Sequence, residues 1–302
     1  MQVWETDLRS PLQLHNQLTI CLGFFDGLHL GHQALIQTGI ALKNPVAVLT
    51  FDRNPKPGRV AQNLTPLSRK KTMLETMGVS YLIVVKFLEE VKSLTANAFL
   101  DFLFAIGGKH LVCGPDFRFG KDAQGDVQTI QNDGRFTLHL VPPRMYENQK
   151  ISTSAIVSML AAGQLESMQQ LLGRPYVVEG IVGKGLGEGR KMGYPTANIV
   201  LDAPYYLPKN GVYITLIKID GQTYYSLASL GFHPTVANLS SPTLEVFVLN
   251  YQANLYEKHV EVAFLHYLRP EQKFPSKDAL IQQMDLDKAT AIRLQPTFPK
   301  EF

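Results

Sequence analysis

Gly23-Phe24-Phe25-Asp26-Gly27-Leu28-His29-Leu30-Gly31-His32 joins an apolar run, residues 18–24, to a stretch, residues 32–42, whose apolar residues recur at helical spacing. Strand, glycine-rich turn and helix in that order form the repeating unit of a parallel sheet. Glycines at 23, 27 and 31 let the backbone approach a bound group closely, and a helix amino terminus offers free N–H groups and a positive dipole end. His29 and His32, three apart, fall near one face and can donate to the same oxygens. The stretch therefore reads as a phosphate cradle. Zinc competes for a His-x-x-His pair, yet it needs a third protein ligand, and no HExxH or nearby cysteine pair supplies one. A purely structural turn is the remaining alternative.

Working outward, residues 46–51, 81–87 and 110–113 read as further strands, and residues 68–77 and 95–106 as helices between them. This alternation predicts a parallel sheet with crossover helices and ligands at the carboxyl ends of the strands. Thr95 is placed to cap the third helix, and Gly107-Gly108 to stop it. A further helix over residues 152–172 ends at Gly173-Arg174-Pro175, which sets a domain boundary, residues 1–173 and 174–302. A chain of 302 residues favours two domains on length alone.

Beyond the boundary the periodicity shortens. Residues 176–182, 211–219, 224–230, 244–249 and 260–265 are β-branched or aromatic runs, a strand follows Pro195, and turn signals such as Asp220-Gly221 separate the runs. Strands at that spacing predict a small antiparallel barrel. Residues 276–294 return to helical spacing through Leu280, Ile281, Met284, Ala289 and Ile292, a face expected to pack on the barrel.

An apolar share of 45% with 18% charged residues fits a globular protein, and a net charge of +3 with scattered lysines and arginines calls for no nucleic acid and no membrane as partner. Small anionic substrates are compatible with it. Cys21 and Cys113 lie in apolar runs without metal-ligand spacing and read as buried reduced thiols. The first residues lack the pattern of a secretory signal and no run is long enough to span a bilayer, so the cytoplasm is the expected location.

The second half carries Gly183-Lys184-Gly185-Leu186-Gly187-Glu188-Gly189-Arg190-Lys191-Met192-Gly193-Tyr194-Pro195-Thr196-Ala197-Asn198. It contains no P-loop string, and Pro195 with its strand replaces the helix that a dinucleotide fingerprint requires. The glycines alone describe no more than a barrel loop.

The two motifs together resemble a family. The HxGH within GFFDGLHLGH is similar to the nucleotidylyltransferase signature, and the longer string resembles the amino-terminal module of bacterial bifunctional riboflavin kinase/FAD synthetases. Gly114-Pro115-Asp116-Phe117-Arg118-Phe119-Gly120 is similar to the family's G-x-D-F-x-F-G loop. Gly-Tyr-Pro-Thr-Ala-Asn at 193–198 resembles the kinase signature GFPTAN, and the likeness continues through Pro234-Thr235, Leu244-Glu245-Val246 and Leu268-Arg269-Pro270.

The resemblance implies a nucleotidylyltransferase-like α/β (Rossmann-like) domain followed by a riboflavin kinase barrel with a carboxy-terminal helix. It implies phosphorylation of riboflavin to FMN and adenylylation of FMN to FAD, with ATP as co-substrate and Mg²⁺ as metal. In the first domain His29 and His32 would be the catalytic pair. Gly23, Phe25, Asp26, Gly31, Gly114, Asp116, Ser152 and Ser154 would meet ATP and its phosphates, and Phe117 and Phe119 would meet flavin. In the second, Thr196 would hold Mg²⁺, Asn198 would orient the phosphates and Glu245 would be the base. Gly183, Gly189, Arg190, Gly193 and Pro195 would line ATP, and Arg269 would border the flavin. For Glu245 the alternative is a solvent-facing strand residue.

Three departures stand out. The family's S-S-T-x-I-R-like signature falls on Ser152-Thr153-Ser154-Ala155-Ile156-Val157, where Val157 replaces the arginine. Lys150, Lys121, Arg118 and Arg53 are the candidate substitutes for that charge. The family's proline-histidine-proline becomes Arg53-Asn54-Pro55, and its Leu-Tyr-Gly becomes Leu255-Tyr256-Glu257, which puts a side chain where positive φ is expected. Two rival readings follow: a riboflavin kinase with a weak first domain, and a flavin or nucleotide sensor without turnover.

Overall fold

The computed structural model describes residues 1–9, 14, 17–53, 62–184, 189, 192–231 and 242–302. The chain divides into two compact units, Met1–Thr153 and Ser154–Phe302.

The first unit is built on six strands, β1 (Gln2–Thr6), β2 (Leu18–Leu22), β3 (Val46–Phe51), β4 (Tyr81–Val85), β5 (Gly108–Cys113) and β6 (Thr137–Leu140), in the order β1-β4-β3-β2-β5-β6. All five pairings are parallel. β2 is fully buried along its length, as expected of a strand covered on both faces. Helices α1 (Leu30–Ala41), α2 (Leu67–Thr76), α3 (Glu89–Lys92), α4 (Ala96–Ala105) and α5 (Val127–Asp133) lie between strands. Thr95 caps α4 by accepting from the Ala98 N–H at 3.2 Å, as its position suggests. β1 and β6, the two edge strands, are additions to the sequence reading.

From β2 the chain winds to β3 and β4 on one side and then crosses to β5 on the other, so β2 and β5 flank the switch point. Open α/β sheets bind ligands outside the carboxyl ends of such a strand pair. The loops leaving these two strands carry the GFFDGLHLGH and G-x-D-F-x-F-G sequences.

A short hairpin, β7 (Met145–Tyr146) and β8 (Gln149–Lys150), leads to α6 (Thr153–Ala162) and α7 (Leu165–Leu172). The expected single helix over residues 152–172 is thus two helices. Gly163, at φ +76°, takes the left-handed conformation that ends α6 and reverses the ladder.

The second unit is a closed antiparallel barrel of β9 (Tyr176–Gly183), β10 (Thr196–Leu201), β11 (Gly211–Ile219), β12 (Gln222–Gly231), β13 (Thr243–Val248) and β14 (His259–Arg269), ordered β10-β13-β12-β11-β14-β9. Asp220 and Gly221 make the β11–β12 turn with φ of +49° and +81°. That pair of signs marks the tight hairpin foreseen for Asp-Gly. Glu257 adopts φ +64°, so the turn keeps the left-handed conformation despite its side chain.

The carboxy-terminal helix α8 (Lys277–Leu294), capped by Ser276, corrects the expected stripe. Asp287 and Ala291 are its buried residues, whereas Ile292 is 51% exposed. The rotation has a cause: Arg269 donates to both Asp287 carboxylate oxygens at 2.7–3.0 Å and draws that residue inward. Ala291 and Leu294 then pack with Val177, Ile214, Leu216 and Ala263.

Candidate functional site

The first site begins with the turn after β2. Phe25, Gly27 and Leu28 have φ of +53°, +80° and +41°, a run of left-handed residues of the kind that strained ligand-binding loops contain. His29 then caps α1, its Nδ1 accepting from the His32 N–H at 3.3 Å. The two imidazoles stack at 3.6 Å and 15°. Burial, followed by His29 and Lys70, holds His32 well below the usual histidine range, so it is neutral near pH 7. Its Nδ1 is buried and has no hydrogen-bond partner among the described residues. α1 has no acidic residue in its first turn to offset the positive end of its dipole from within the helix.

Several expectations for this loop change. Phe25 is fully buried in the core with Leu28 and Ile36, and Asp26 is 2% exposed with its Oδ1 accepting from Thr65 N–H at 2.9 Å. Their side chains brace the turn from within and leave only its backbone to a ligand. Gly23 and Gly31 make room for the protein's own rings: a Cβ would lie 3.1 Å from the Phe25 ring and 3.1 Å from the His29 ring. Ser152 precedes α6 and Ser154 lies exposed in its first turn, and the residue between them reaches the loop. Thr153 Oγ1 donates to the Asp26 carbonyl at 3.2 Å.

Beneath the turn lies a group that the sequence reading missed. Lys70, on α2, is 3% exposed and donates to the Phe24 carbonyl at 2.9 Å and to Thr50 Oγ1 at 3.2 Å. Thr50 Oγ1 donates to the same carbonyl at 2.7 Å. Burial brings the ammonium down to about 8, against the pull of Asp26 in the other direction. Its signal was present: Leu67, Lys70 and Leu74 form one helical stripe, with a lysine where a core residue belongs.

After β5, Gly114 opens a turn closed by the Phe117 N–H on its carbonyl at 3.1 Å. Phe117 is half-buried and stacks on Phe119 at 5.6 Å, while Phe119, 7% exposed, packs on Phe99 at 5.2 Å. Phe119 is thereby a core residue and Phe117 alone retains an open surface. Asp116 is exposed and pairs with Lys150 at 2.5 Å. Arg118 pairs with Asp126 at 2.9 Å and Arg53 with Asp52 at 3.1 Å, so three of the four candidate substitute cations already face carboxylates. Asn54 and Pro55 lie outside the described residues.

The second site lies on the outer face of the barrel. Along β13, Leu244, Val246 and Val248 are buried and alternate with the half-buried Glu245 and Phe247. On β10, Ala197 and Ile199 point inward while Thr196 and Asn198 share the face of Glu245. Asn198 sits opposite Glu245 in register, and Thr196 Oγ1 donates to Glu245 Oε2 at 3.1 Å. Gly183 faces Asn198 from β9, and a Cβ on Gly189 would lie 3.2 Å from Thr196 Oγ1 and 2.3 Å from the Tyr194 carbonyl. Gly193, at φ +84°, turns the chain into Tyr194, whose ring packs 5.0 Å from Phe247 and whose hydroxyl bonds Asp285. A cavity of about 270 Å³ opens beside Pro195 and Thr196, lined also by Val182, Val248, Tyr251 and Leu255.

Arg269 does not face this site as a free cation, being held by Asp287. Arg190, Pro234 and Thr235 lie outside the described residues. Thr196 and Asn198 offer hard oxygen donors of the type that Mg²⁺ takes. Glu179, Asp202 and His259 also bring donor atoms within 4.8 Å of one another elsewhere on the barrel, but His259 Nε2 and Asp202 Oδ2 already meet at 3.3 Å.

Comparison with known proteins matches both units. Residues 12–155 fit the family model described as FAD synthetase and residues 172–295 the one described as riboflavin kinase. A bifunctional riboflavin kinase/FMN adenylyltransferase from Listeria monocytogenes is 36% identical, over 89% of this chain and 90% of its own. The protein of the same name from Bacillus subtilis is 33% identical, over 91% of each chain. A crystal structure described as a macrolide-efflux protein from Streptococcus pneumoniae superposes with a TM-score of 0.89 at 29% identity, covering 96% of this chain and 99% of that one. No helix among the described residues is long and apolar enough to cross a membrane.

Proposed function

Because this chain belongs to the family of bifunctional riboflavin kinase/FMN adenylyltransferases, we propose that it makes FMN on the barrel and FAD on the parallel-sheet unit, each at the expense of ATP. Gly173 is taken as the functional divide between the two. The observation that carries the kinase assignment is the Thr196–Glu245 hydrogen bond at 3.1 Å.

In the first reaction the primary hydroxyl of riboflavin attacks the γ-phosphorus of ATP, the bond to the β-phosphate oxygen breaks, and ADP leaves. An alcohol is a poor nucleophile, so a carboxylate within hydrogen-bond reach must orient it and accept its proton. Glu245 is that carboxylate, oriented by the hydrogen bond that Thr196 donates to its Oε2. Thr196 and Asn198 would hold Mg²⁺, which when bound neutralises phosphate charge. The cavity beside Pro195 would receive the nucleotide, with Gly189 and Gly193 shaping its approach.

In the second reaction an FMN phosphate oxygen attacks the α-phosphorus of ATP, and pyrophosphate leaves. A phosphate monoester with a second pKa of about 6 is already largely ionised, so no strong base is required. Positioning and positive potential do the work. The amino terminus of α1, with His29 and His32 at its opening, supplies part of both, and Phe117 offers the flavin a ring.

The test is incubation with riboflavin, ATP and Mg²⁺ followed by chromatographic separation of the flavins. FMN then FAD is expected. FMN without FAD would leave a kinase with an idle first unit, and unchanged riboflavin would sink both assignments in favour of a sensor.

A further inference from the structure

We propose that Lys70 is a positioning residue for adenylyl transfer, holding the turn after β2 in shape through the Phe24 carbonyl and placing a fixed positive charge beneath the cradle. The inference rests on the adenylyl-transfer assignment above and adds to it a residue and a source of charge.

The geometry separates Lys70 from the other cations of this unit. Lys150, Arg118 and Arg53 sit at the surface against carboxylates. Lys70 is 3% exposed, and its hydrogen bonds among the described residues end on a carbonyl and a hydroxyl, both neutral. The Phe24 carbonyl that it holds belongs to the cradle itself, and the Phe24 ring lies 4.7 Å from the ammonium. The facing carboxylate, Asp26, is engaged by the Thr65 N–H. Among the described residues no carboxylate forms an ion pair with it, and a buried ammonium so placed costs folding free energy that an apolar residue would not. On a stripe with Leu67 and Leu74, packing alone would select another leucine or methionine.

The position of the charge supplies the reason. Its field reaches His32, whose protonated form it disfavours. A neutral His32 over a cation that cannot move away leaves the cradle with positive potential that needs no mobile side chain. This is the contribution expected where Val157 leaves the family's arginine position empty of charge.

The experiment compares Lys70→Met and Lys70→Gln with wild type in the full-length chain. It measures kcat and KM for ATP in FAD formation from FMN, riboflavin phosphorylation in the same preparations, and thermal melting. We expect kcat for FAD formation to fall about 100-fold in Lys70→Met, the scale of losing one preorganised donor. Lys70→Gln, which keeps N–H donors without the charge, should fall between the two. KM for ATP should move by less than about fivefold in both, because the residue does not touch the nucleotide. Riboflavin phosphorylation should be unchanged.

A folded Lys70→Met making FAD within about threefold of the wild-type rate overturns the inference, as do rate losses that follow melting temperature alone. If Lys70→Met loses the fold of the first unit, Lys70→Gln and Thr50→Val, which removes the second oxygen on the ammonium, are read by the same criteria. Wild type that makes FMN but no FAD overturns the adenylyl-transfer assignment and this inference with it; wild type that makes FAD beside an equally active variant overturns this inference alone.

Discussion

Thr196 Oγ1 donates to Glu245 Oε2 at 3.1 Å, from adjacent strands whose register sets Asn198 opposite the same glutamate. The bond orients the Glu245 carboxylate on the face that carries Thr196 and Asn198, where the proposed kinase reaction needs a base. Glu245→Gln should therefore lower FMN formation by about 10² to 10⁴, the usual worth of a positioned base, while riboflavin binding changes little. Stopped assays with flavin separation and fluorescence titration read the two quantities. Near-normal turnover would remove Glu245 as the base.

Val157 lies half-buried on α6, at the position where the family places arginine. Val157→Arg should raise FAD formation by up to about tenfold and leave FMN formation unchanged. The gain is set well below the 10³ or more of an arginine finger because Lys70 already supplies a fixed charge. An unchanged FAD rate in the folded variant would make the guanidinium dispensable here.

Lys70 gives adenylyl transfer and stability opposite responses to pH. Its folded pKa, about 8, is below the ordinary 10.5, so between these values the unfolded chain holds a proton that the folded chain does not. Stability of the parallel-sheet unit should therefore rise through that window, by as much as roughly 3 kcal/mol from this group. FAD formation should fall over the same range as the ammonium is lost. The titratable groups facing Lys70 are Asp26 and His32, and His32 is already neutral there. Urea midpoints and FAD rates measured at about pH 7 and about pH 9.5 should move in opposite directions, and Lys70→Met should abolish both trends.

Glu257 holds φ +64° in the turn before β14. A left-handed conformation costs a residue with a side chain roughly 1–2 kcal/mol, part of which glycine recovers. Glu257→Gly should stabilise the barrel by about 1 kcal/mol, read as a higher melting temperature. An unchanged or lower melting temperature would mean that the Glu257 side chain offsets the strain.

Arg269 and Asp287 form a buried bidentate pair, with side chains only 14% and 6% exposed. Removing one partner leaves the other charge stranded, at a cost of about 3–5 kcal/mol. Arg269→Met should lower barrel stability by that amount, with KM for riboflavin in the remaining folded enzyme near that of wild type. A large rise in KM without loss of stability would return Arg269 to the flavin site.

The parallel sheet, the barrel and the two motif loops were legible because each is written locally, in periodicity or in turn chemistry. What escaped depends on partners distant in sequence. Ala289 and Ile292 looked like the inner face of α8 until Arg269 drew in Asp287 and rotated the helix. Phe119 shared a motif with Phe117, and only the packing of Phe99 decided which ring would be covered. Lys70 was passed over because a lysine in a helical pattern ordinarily marks its wet side, whereas the hydroxyl and carbonyl that receive it come from β3 and from the turn after β2. β1 was missed for a related reason: its half-exposed residues join the sheet only through pairing with β4.

The outward placement of Thr196, Asn198 and Glu245 on a closed barrel has a consequence for how such a chain can change. Their neighbours along the same strands, Ala197, Leu244 and Val246, hold the interior, so the proposed reactive positions and the architectural ones alternate residue by residue. Outer positions that flank these three, such as Phe247, can be varied while the inner ones go on specifying the barrel, which makes the rim of this face a practical starting surface for engineering acceptance of altered flavins.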